Sequence, residues 1–278
     1  MALARGSLSL LFVEGAAASP QELIMRWNLP PTQAEIVQSM ARSRDNYVYP
    51  RANELQFELK TRHAIINAAK AMNESGAQFT DFEHSYCNPA YWELQPNGGF
   101  KLKNGVSPSA AILDIFRNGQ AYGYECAVAM IIVYYRAMID ILGESAFNRL
   151  FQNLYLWSWH QDTDLGLTTR NYSSFIPGDV VYFNNPDVHP AHIESQGLNT
   201  VVLEGGLYFG HGMGIQTARE IIRRLNALRK PFSLRSAYLM RQATRPNFAY
   251  LMNYADMRKE HARALAVIGK IGSNTHLL

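Results

Sequence analysis

The two cysteines of this chain are candidate nucleophiles, and its eight histidines are candidate partners for them. Cys126 follows Tyr122-Gly123-Tyr124-Glu125 and precedes the apolar run 127–142, a pattern that predicts the start of a buried helix. Free backbone N–H groups at a helix start can lower a thiol pKa from about 8.5, and they can also bind an oxyanion. Cys126 is therefore a candidate nucleophile, although a cysteine in this position is also commonly a small buried apolar residue.

A nucleophilic cysteine needs a partner, and His211 is the strongest candidate. It lies in Gly210-His211-Gly212-Met213-Gly214, after the strand-like run 200–203. The small neighbours leave the imidazole accessible, or they only form a tight turn in which the histidine has no role. A helix-start cysteine followed by a histidine on a later strand is the order found in papain-like cysteine enzymes.

The other histidines and the second cysteine are weaker candidates for catalysis or metal binding. His189 and His192 have a spacing that can bind metal, but no third ligand is obvious nearby, so no zinc site is expected. His160 follows Trp157-Ser158-Trp159, an aromatic cluster that lines a cleft or fills the core. Cys87 lies in a loop without an activating environment. No phosphate-binding loop or dinucleotide motif is present, so no cofactor is expected.

The elements that must position these residues change in type along the chain. Helices are expected at residues 32–43, 52–73, 107–119, 126–143, 147–157 and 217–228, the first and last of them opened by capping boxes at 32–35 and 217–220. Strands are expected at residues 8–13, 91–94, 100–102, 178–183, 199–203 and 233–240.

This order, with helices in the N-terminal half and an antiparallel sheet in the C-terminal half, predicts an α+β fold rather than βαβ alternation. No linker of Pro, Gly or Ser divides the two parts. We therefore expect one domain over residues 1–246, followed by a polar, basic C-terminal extension at residues 247–278.

Bulk composition excludes several classes of protein. Apolar residues make up 47% of the chain, and the net charge of +3 comes from scattered lysines and arginines, so nucleic-acid binding is not indicated. The run Leu8 to Val13 is too short for a signal peptide and Glu14 interrupts it, which favours a buried strand and synthesis in the cytoplasm. No segment has the roughly 20 apolar residues of a membrane span.

Several motifs together resemble one family. They are Phe57-Glu58-Leu59-Lys60, Asn88-Pro89-Ala90-Tyr91-Trp92, Pro108-Ser109-Ala110-Ala111-Ile112, Tyr124-Glu125-Cys126-Ala127-Val128-Ala129, Pro177-Gly178-Asp179-Val180-Val181-Tyr182-Phe183, Tyr208-Phe209-Gly210-His211-Gly212-Met213-Gly214 and Ser236-Ala237-Tyr238-Leu239. Over residues 8–245 the chain resembles the bacterial spore-coat protein-glutamine gamma-glutamyltransferases, which are calcium-independent transglutaminases with a papain-like NlpC/P60-type core.

The resemblance implies a reaction and a set of roles. Cys126 attacks the side-chain amide of a protein-bound glutamine, ammonia leaves, and a lysine amine takes the acyl group to form an isopeptide cross-link. His211 and Glu125 assist the thiol, while Trp159 and Tyr182 line the tunnel that holds it. The implied partners are spore-coat proteins with glutamine and lysine side chains, and the implied location is the spore coat.

One departure from the family weakens this assignment. The family has a catalytic carboxylate thirteen residues before the histidine, and here that residue is Leu198, while Ser195 replaces a tunnel tryptophan. Glu204 lies about 20 Å further along the strand, too far to substitute. Glu194 is nearer to Leu198 than Glu204 is, but a turn offsets it. We therefore expect Glu125 and His211 to sustain a reduced activity.

Two other functions stay open at this stage. A papain-like cysteine amidase or peptidase would use the same thiol with water as the acceptor. A catalytically weakened structural coat component would keep the fold with a disabled site, and Leu198 and Ser195 are the reasons to consider it.

Overall fold

The structure, a computed structural model, describes residues 11–255. Its α-helices are α1 (Pro20–Trp27), α2 (Pro31–Arg42), α3 (Ala52–Glu74), α4 (Pro108–Arg117), α5 (Cys126–Leu142), α6 (Glu144–Leu150) and α7 (Ala218–Ala227). Its strands are β1 (Leu11–Val13), β2 (Ala16–Ala17), β3 (Tyr47–Tyr49), β4 (Gln78–Phe79), β5 (Trp92–Leu94), β6 (Phe100–Leu102), β7 (Gly123–Tyr124), β8 (Tyr155–Leu156), β9 (Thr168–Asn171), β10 (Val180–Asn184), β11 (Gly197–Val202), β12 (Leu207–Gly210), β13 (Gly214–Thr217) and β14 (Tyr238–Arg245).

Helix α5 occupies the centre of the core. Its sequence is apolar on nearly every side, and almost all of its residues are buried. A helix that is apolar all round must be covered on all sides. Helices α3, α4 and α6 and strand β11 all pack against it.

The main sheet has six antiparallel strands in the order β13-β12-β11-β10-β14-β9. Both faces of β11 are covered: Val201 packs in the main core with α5, whereas Leu198 belongs to a cluster with Ile221 and Leu225 of α7. Because neighbouring residues of a strand point to opposite faces, helices on the two sides receive alternate side chains.

A buried ionic cluster joins α3 to this sheet. Asp179 is fully buried, its carboxylate accepts hydrogen bonds from Arg62 at 2.7 Å and from Arg245 at 2.7 and 2.8 Å, and Glu58 accepts another from Arg62 at 2.8 Å. Because buried charges are costly without partners, this cluster specifies how α3, β10 and β14 meet.

The predicted α+β class with an antiparallel sheet is confirmed, as are the central helix, the 92–102 hairpin and the capping box at Thr217. The N-terminal strand is confirmed from Leu11, and residues 1–10 lie outside the described part. None of the helices in residues 11–255 is long and apolar enough to cross a membrane.

Three local predictions were wrong. The helix expected at 147–157 is α6, which ends at Leu150, because the following residues pair as β8 with β6. The capping box expected at Thr32 and Glu35 is absent, since Thr32 donates to Glu204 and Glu35 accepts from the Gly205 amide. The last strand covers Tyr238–Arg245 instead of 233–240, where its residues pair with both β10 and β9.

The predicted division at residue 247 stays a prediction. Residues 248–255 are helical, and Leu251 and Met252 from this stretch are buried in the main core. The rest of the predicted extension, residues 256–278, lies outside the described part of the chain.

Candidate active site

Cys126 is the first residue of α5, as the sequence predicts, and strand β7 leads the chain to it. Strand β7 pairs in parallel with β4, so that Gly123 lies opposite Gln78 and Tyr124 opposite Phe79. A β-carbon on Gly123 would be 2.3 Å from the Tyr86 ring, so this position needs glycine for close packing. The ladder thereby sets the direction in which the backbone enters α5.

Glu125 is the N-cap residue of α5. Its carboxylate accepts hydrogen bonds from the backbone N–H groups of Ala127 at 2.8 Å and Val128 at 3.1 Å. These are the free donors of the helix start that the sequence analysis expected to face a thiolate or an oxyanion. In the resting site they are occupied by Glu125, whose carboxyl is adjacent to Cys126 and affects the pKa of its thiol.

The predicted lowering of the Cys126 thiol pKa is wrong for the resting site. The pKa of Cys126 is raised to about 11: burial raises it most, the adjacent charge of Glu125 also raises it, and Asn199 opposes both through its backbone and its side chain. The helix start therefore does not produce a permanent thiolate. The thiol needs a base that takes its proton as it attacks.

Glu125 has the properties of such a base. Burial raises the pKa of this carboxyl above its ordinary value, more than the Ala127 and Val128 amides and the Cys126 thiol lower it. A carboxylate with a raised pKa is a better proton acceptor at neutral pH. It is also adjacent to the residue whose proton must be removed, and both residues line the same cavity.

The thiol opens into a cavity of about 700 Å³. Trp159 and Tyr182, the two aromatic residues proposed from sequence, line it together with Cys126 and Glu125. Tyr182 lies opposite Asn199 in the β10–β11 ladder, and Trp159 is 37% exposed at the rim. The four predicted residues therefore share one site.

His211 lies elsewhere. Its ring stacks on Tyr124 at a centroid distance of 4.7 Å, and its Nε2 donates to the backbone carbonyl of Gln78 at 3.1 Å. Burial lowers the pKa of His211 to about 4, against the opposite effect of the Gln78 and Tyr124 carbonyls, so the ring is neutral at pH 7. Within residues 11–255 it has no hydrogen bond to Cys126.

Leu198 faces a second cavity of about 370 Å³, which His211 also lines. Phe79, Glu194 and Gly197 line both cavities and separate them. Leu198 is 3% exposed and belongs to the same buried cluster as Cys126, and it stands at the position where the family resemblance implies a carboxylate. Ser195 also lines the second cavity.

Neither alternative acidic residue hydrogen-bonds the thiol. Glu204 binds Lys70 at 2.6 Å and Thr32 at 3.1 Å, which confirms that it cannot replace the missing carboxylate. Glu194 lies at the wall between the two cavities, 3.7 Å from the His192 ring.

Sequence analysis missed Asn199. Its side-chain amide lies 3.4 Å from the Cys126 sulfur and is buried. One signal could have indicated it: Asn199 stands in the apolar run that was predicted to be a strand, where a buried amide needs a hydrogen-bond partner.

The other candidate residues have separate surroundings. Burial raises the pKa of Cys87 to about 11. His189 accepts a hydrogen bond from the Ala191 amide, and His160 packs against Tyr155. Within residues 11–255, no group of three or more His, Cys, Asp and Glu side chains is placed to hold a metal ion.

Comparison with known proteins identifies the family of this chain. Residues 11–255 match the family model described as protein-glutamine gamma-glutamyltransferase. The chain is 48% identical over 229 residues to a protein of that name from Halalkalibacterium halodurans, covering 82% of this chain and 81% of the relative. It is 46% identical over 221 residues to one from Bacillus cereus strain B4264, covering 80% of each.

A solved structure is also similar. The transglutaminase from Geobacillus stearothermophilus, without its C-terminal extension, is 47% identical to this chain. The two superpose with a TM-score of 0.71, over 74% of this chain and 98% of the other.

Proposed function

Because the chain belongs to the protein-glutamine gamma-glutamyltransferase family and is an enzyme of that class, we propose that it cross-links proteins through a thioester on Cys126. The observation that carries this proposal is that Cys126 and the adjacent carboxyl of Glu125 line one cavity together with Trp159 and Tyr182. Transfer of an acyl group from an amide to an amine requires a thiol, an adjacent base and a sheltered cavity.

The reaction has two halves. In the first, Glu125 accepts the thiol proton, the sulfur bonds to the glutamine carboxamide carbon, and the C=O electron pair moves to oxygen. The oxyanion then collapses, the C–N bond breaks, and ammonia leaves with the proton from Glu125. In the second, a neutral lysine amine attacks the thioester, its proton passes to Glu125 and then to the sulfur, and the isopeptide bond releases Cys126.

Water must be kept from the thioester, or hydrolysis replaces transfer. Two observations support the exclusion of water. Cys126 is only 9% exposed, and the aromatic side chains of Trp159 and Tyr182 line the cavity into which its sulfur opens. The reaction as written uses no metal and no cofactor.

His211 is part of this proposal as an assisting residue. Its stacking on Tyr124 and its bond to Gln78 support an indirect contribution, through the β4–β7 ladder that leads into Cys126. The family resemblance further supports a papain-related NlpC/P60-type core, spore-coat proteins as substrates, and the spore coat as the location.

One observation favours a second candidate. Leu198 stands at the position of the family carboxylate and is buried in the same cluster as Cys126, which suits a catalytically weakened coat component. A cysteine amidase with water as acceptor is the third possible outcome of the same experiment.

The test is an assay with purified full-length chain, a glutamine-donor peptide and a fluorescent primary amine, with ammonia and amine incorporation followed together. We expect both in the parent chain and neither in Cys126→Ala. Ammonia without incorporation would identify an amidase. No product in the parent chain, together with cross-linking by Leu198→Glu, would overturn the proposal that Glu125 and His211 suffice and would favour the weakened coat component.

A further inference from the structure

Asn199 is a buried polar residue in an apolar strand. All six residues of β11 are buried, and Asn199 is 6% exposed between Leu198 and Thr200. Burying an amide without a hydrogen bond is unfavourable. The fold therefore needs a partner for this side chain.

That partner is the reactive sulfur. The Asn199 Nδ2 group donates to Cys126 Sγ at 3.4 Å, across 73 residues of chain. Among the described residues, this is the only hydrogen bond of Nδ2. The contact also keeps Asn199 on the face of β11 that lines the Cys126 cavity with Tyr182 and Gly197.

Two other donors near the sulfur are committed. The Ala127 and Val128 amides at the start of α5 both bind the Glu125 carboxylate. An oxyanion that forms on a substrate carbon attached to Cys126 would have to displace that carboxylate to use them. The Asn199 amide carries no competing carboxylate.

We propose that Asn199 is a further catalytic residue, whose side-chain amide stabilises the negative charge formed at Cys126. This inference rests on the proposed function. In the resting site Asn199 donates to the sulfur. When the sulfur bonds to the glutamine carboxamide carbon, the C=O electron pair moves onto oxygen, and the amide N–H donates to that oxyanion until the C–N bond breaks and ammonia leaves.

The distance agrees with this role. Donors that stabilise an oxyanion lie about 2.7–3.1 Å from the position that the oxygen takes. That oxygen is two bonds from the sulfur, and a donor 3.4 Å from the sulfur is within its reach. Loss of one such donor typically lowers kcat by about 100-fold or more.

The experiment compares Asn199→Ala, Asn199→Asp and Asn199→Gln in the full-length chain, with Thr200→Val as the matched control. Thr200 is also buried in β11, and its hydroxyl donates to Val181 rather than to the sulfur. Two quantities are measured: kcat and KM for ammonia release from a glutamine donor, and the pH profile of Cys126 alkylation by iodoacetamide. Thermal melting identifies the variants that fold.

We expect alanine and aspartate to lower kcat about 100-fold with little change in KM and to move the alkylation profile to higher pH. Glutamine, which keeps the amide, should recover part of kcat, and Thr200→Val should change neither quantity. Aspartate is close in shape to asparagine, so it tests the proposal if the alanine variant does not fold.

Folded Asn199 variants with kcat within threefold of the parent and an unmoved alkylation profile would overturn the proposal. If the parent chain itself releases no ammonia and incorporates no amine, the proposed function fails. The alkylation profile then decides alone: a shift in the uncharged variant Asn199→Ala that Thr200→Val lacks supports the contact with the sulfur, and no shift in Asn199→Ala rejects it.

Discussion

The Tyr182 ring lies so close to the Gly197 backbone that a β-carbon at residue 197 would be 2.0 Å from the phenolic oxygen. Glycine at 197 therefore allows the tyrosine to lie diagonally across the β10–β11 ladder and line the Cys126 cavity.

Gly197→Ala should displace Tyr182 and lower amine incorporation about tenfold, because a misplaced cavity wall misplaces the substrate. The effect should be smaller in a Tyr182→Ala background, where no ring is left to displace and only the Phe183 carbonyl oxygen, 2.6 Å from the added β-carbon, is still crowded. Equal effects of Gly197→Ala in both backgrounds would show that the glycine acts through something other than Tyr182.

Glu125→Gln should have opposite effects on two reactions of Cys126. Besides burial, the Glu125 charge raises the thiol pKa, which is about 11. Glutamine removes that charge, so the thiol pKa falls, thiolate becomes more abundant below pH 11, and iodoacetamide alkylation becomes faster there. Amine incorporation should nevertheless fall about 100-fold, because the proton acceptor is lost. Slower alkylation would contradict this account.

Trp159→Ala should raise the ratio of ammonia released to amine incorporated, because the opened cavity admits water to the thioester. The ratio is read from the same donor peptide and amine. Trp157→Ala is the matched control, since Trp157 is 38% exposed and Trp159 37%, but only Trp159 lines the cavity. A similar rise in both variants would mean that the effect is not specific to the wall.

Leu198→Glu should raise amine incorporation about tenfold, because it puts a second proton acceptor in the buried cluster that contains Cys126. The same change buries a carboxyl group at a site 3% exposed, so the melting temperature should fall. Leu198→Gln introduces a side chain that is similar in shape to glutamate but cannot accept a proton. It should lower the melting temperature without raising amine incorporation. Equal rates for the two variants would remove proton transfer as the explanation.

Asp179→Asn should lower the free energy of unfolding by about 3–5 kcal/mol, because Arg62 and Arg245 lose their shared partner in the interior. Urea unfolding measures this loss. Arg51→Ala, which breaks the exposed pair with Glu54, should cost no more than about 1 kcal/mol. A loss that small for Asp179→Asn would show that the cluster does not stabilise the fold.

The same cluster predicts acid sensitivity. Burial raises the pKa of Asp179, but the charges of Arg62 and Arg245 outweigh it and lower the pKa below the ordinary value. Its contribution to stability is therefore present above the unfolded pKa of about 3.9 and is lost as the pH falls through the folded pKa. The parent chain should lose more stability in acid than Asp179→Asn.

Local signals predicted much of the fold. The helix that begins at Cys126 depends on an apolar run after a capping glutamate, and the Thr217 capping box depends on residues three apart. Local signals failed where residues distant in the sequence compete for the same side chains. Thr32 and Glu35, for example, hydrogen-bond to Glu204 and Gly205 instead of forming a capping box.

The sequence by itself predicted the candidate nucleophile, its adjacent carboxylate and the two aromatic residues that line the cavity, because these follow from a helix start and from motifs with a family resemblance. Only the tertiary structure decided which groups meet the sulfur. Asn199 reaches Cys126 and His211 stacks on Tyr124 because of the way β11, α5 and the β4–β7 ladder pack, over separations that no local pattern encodes. Burial decided the charge state as well, since it outweighs the helix start and raises the thiol pKa to about 11.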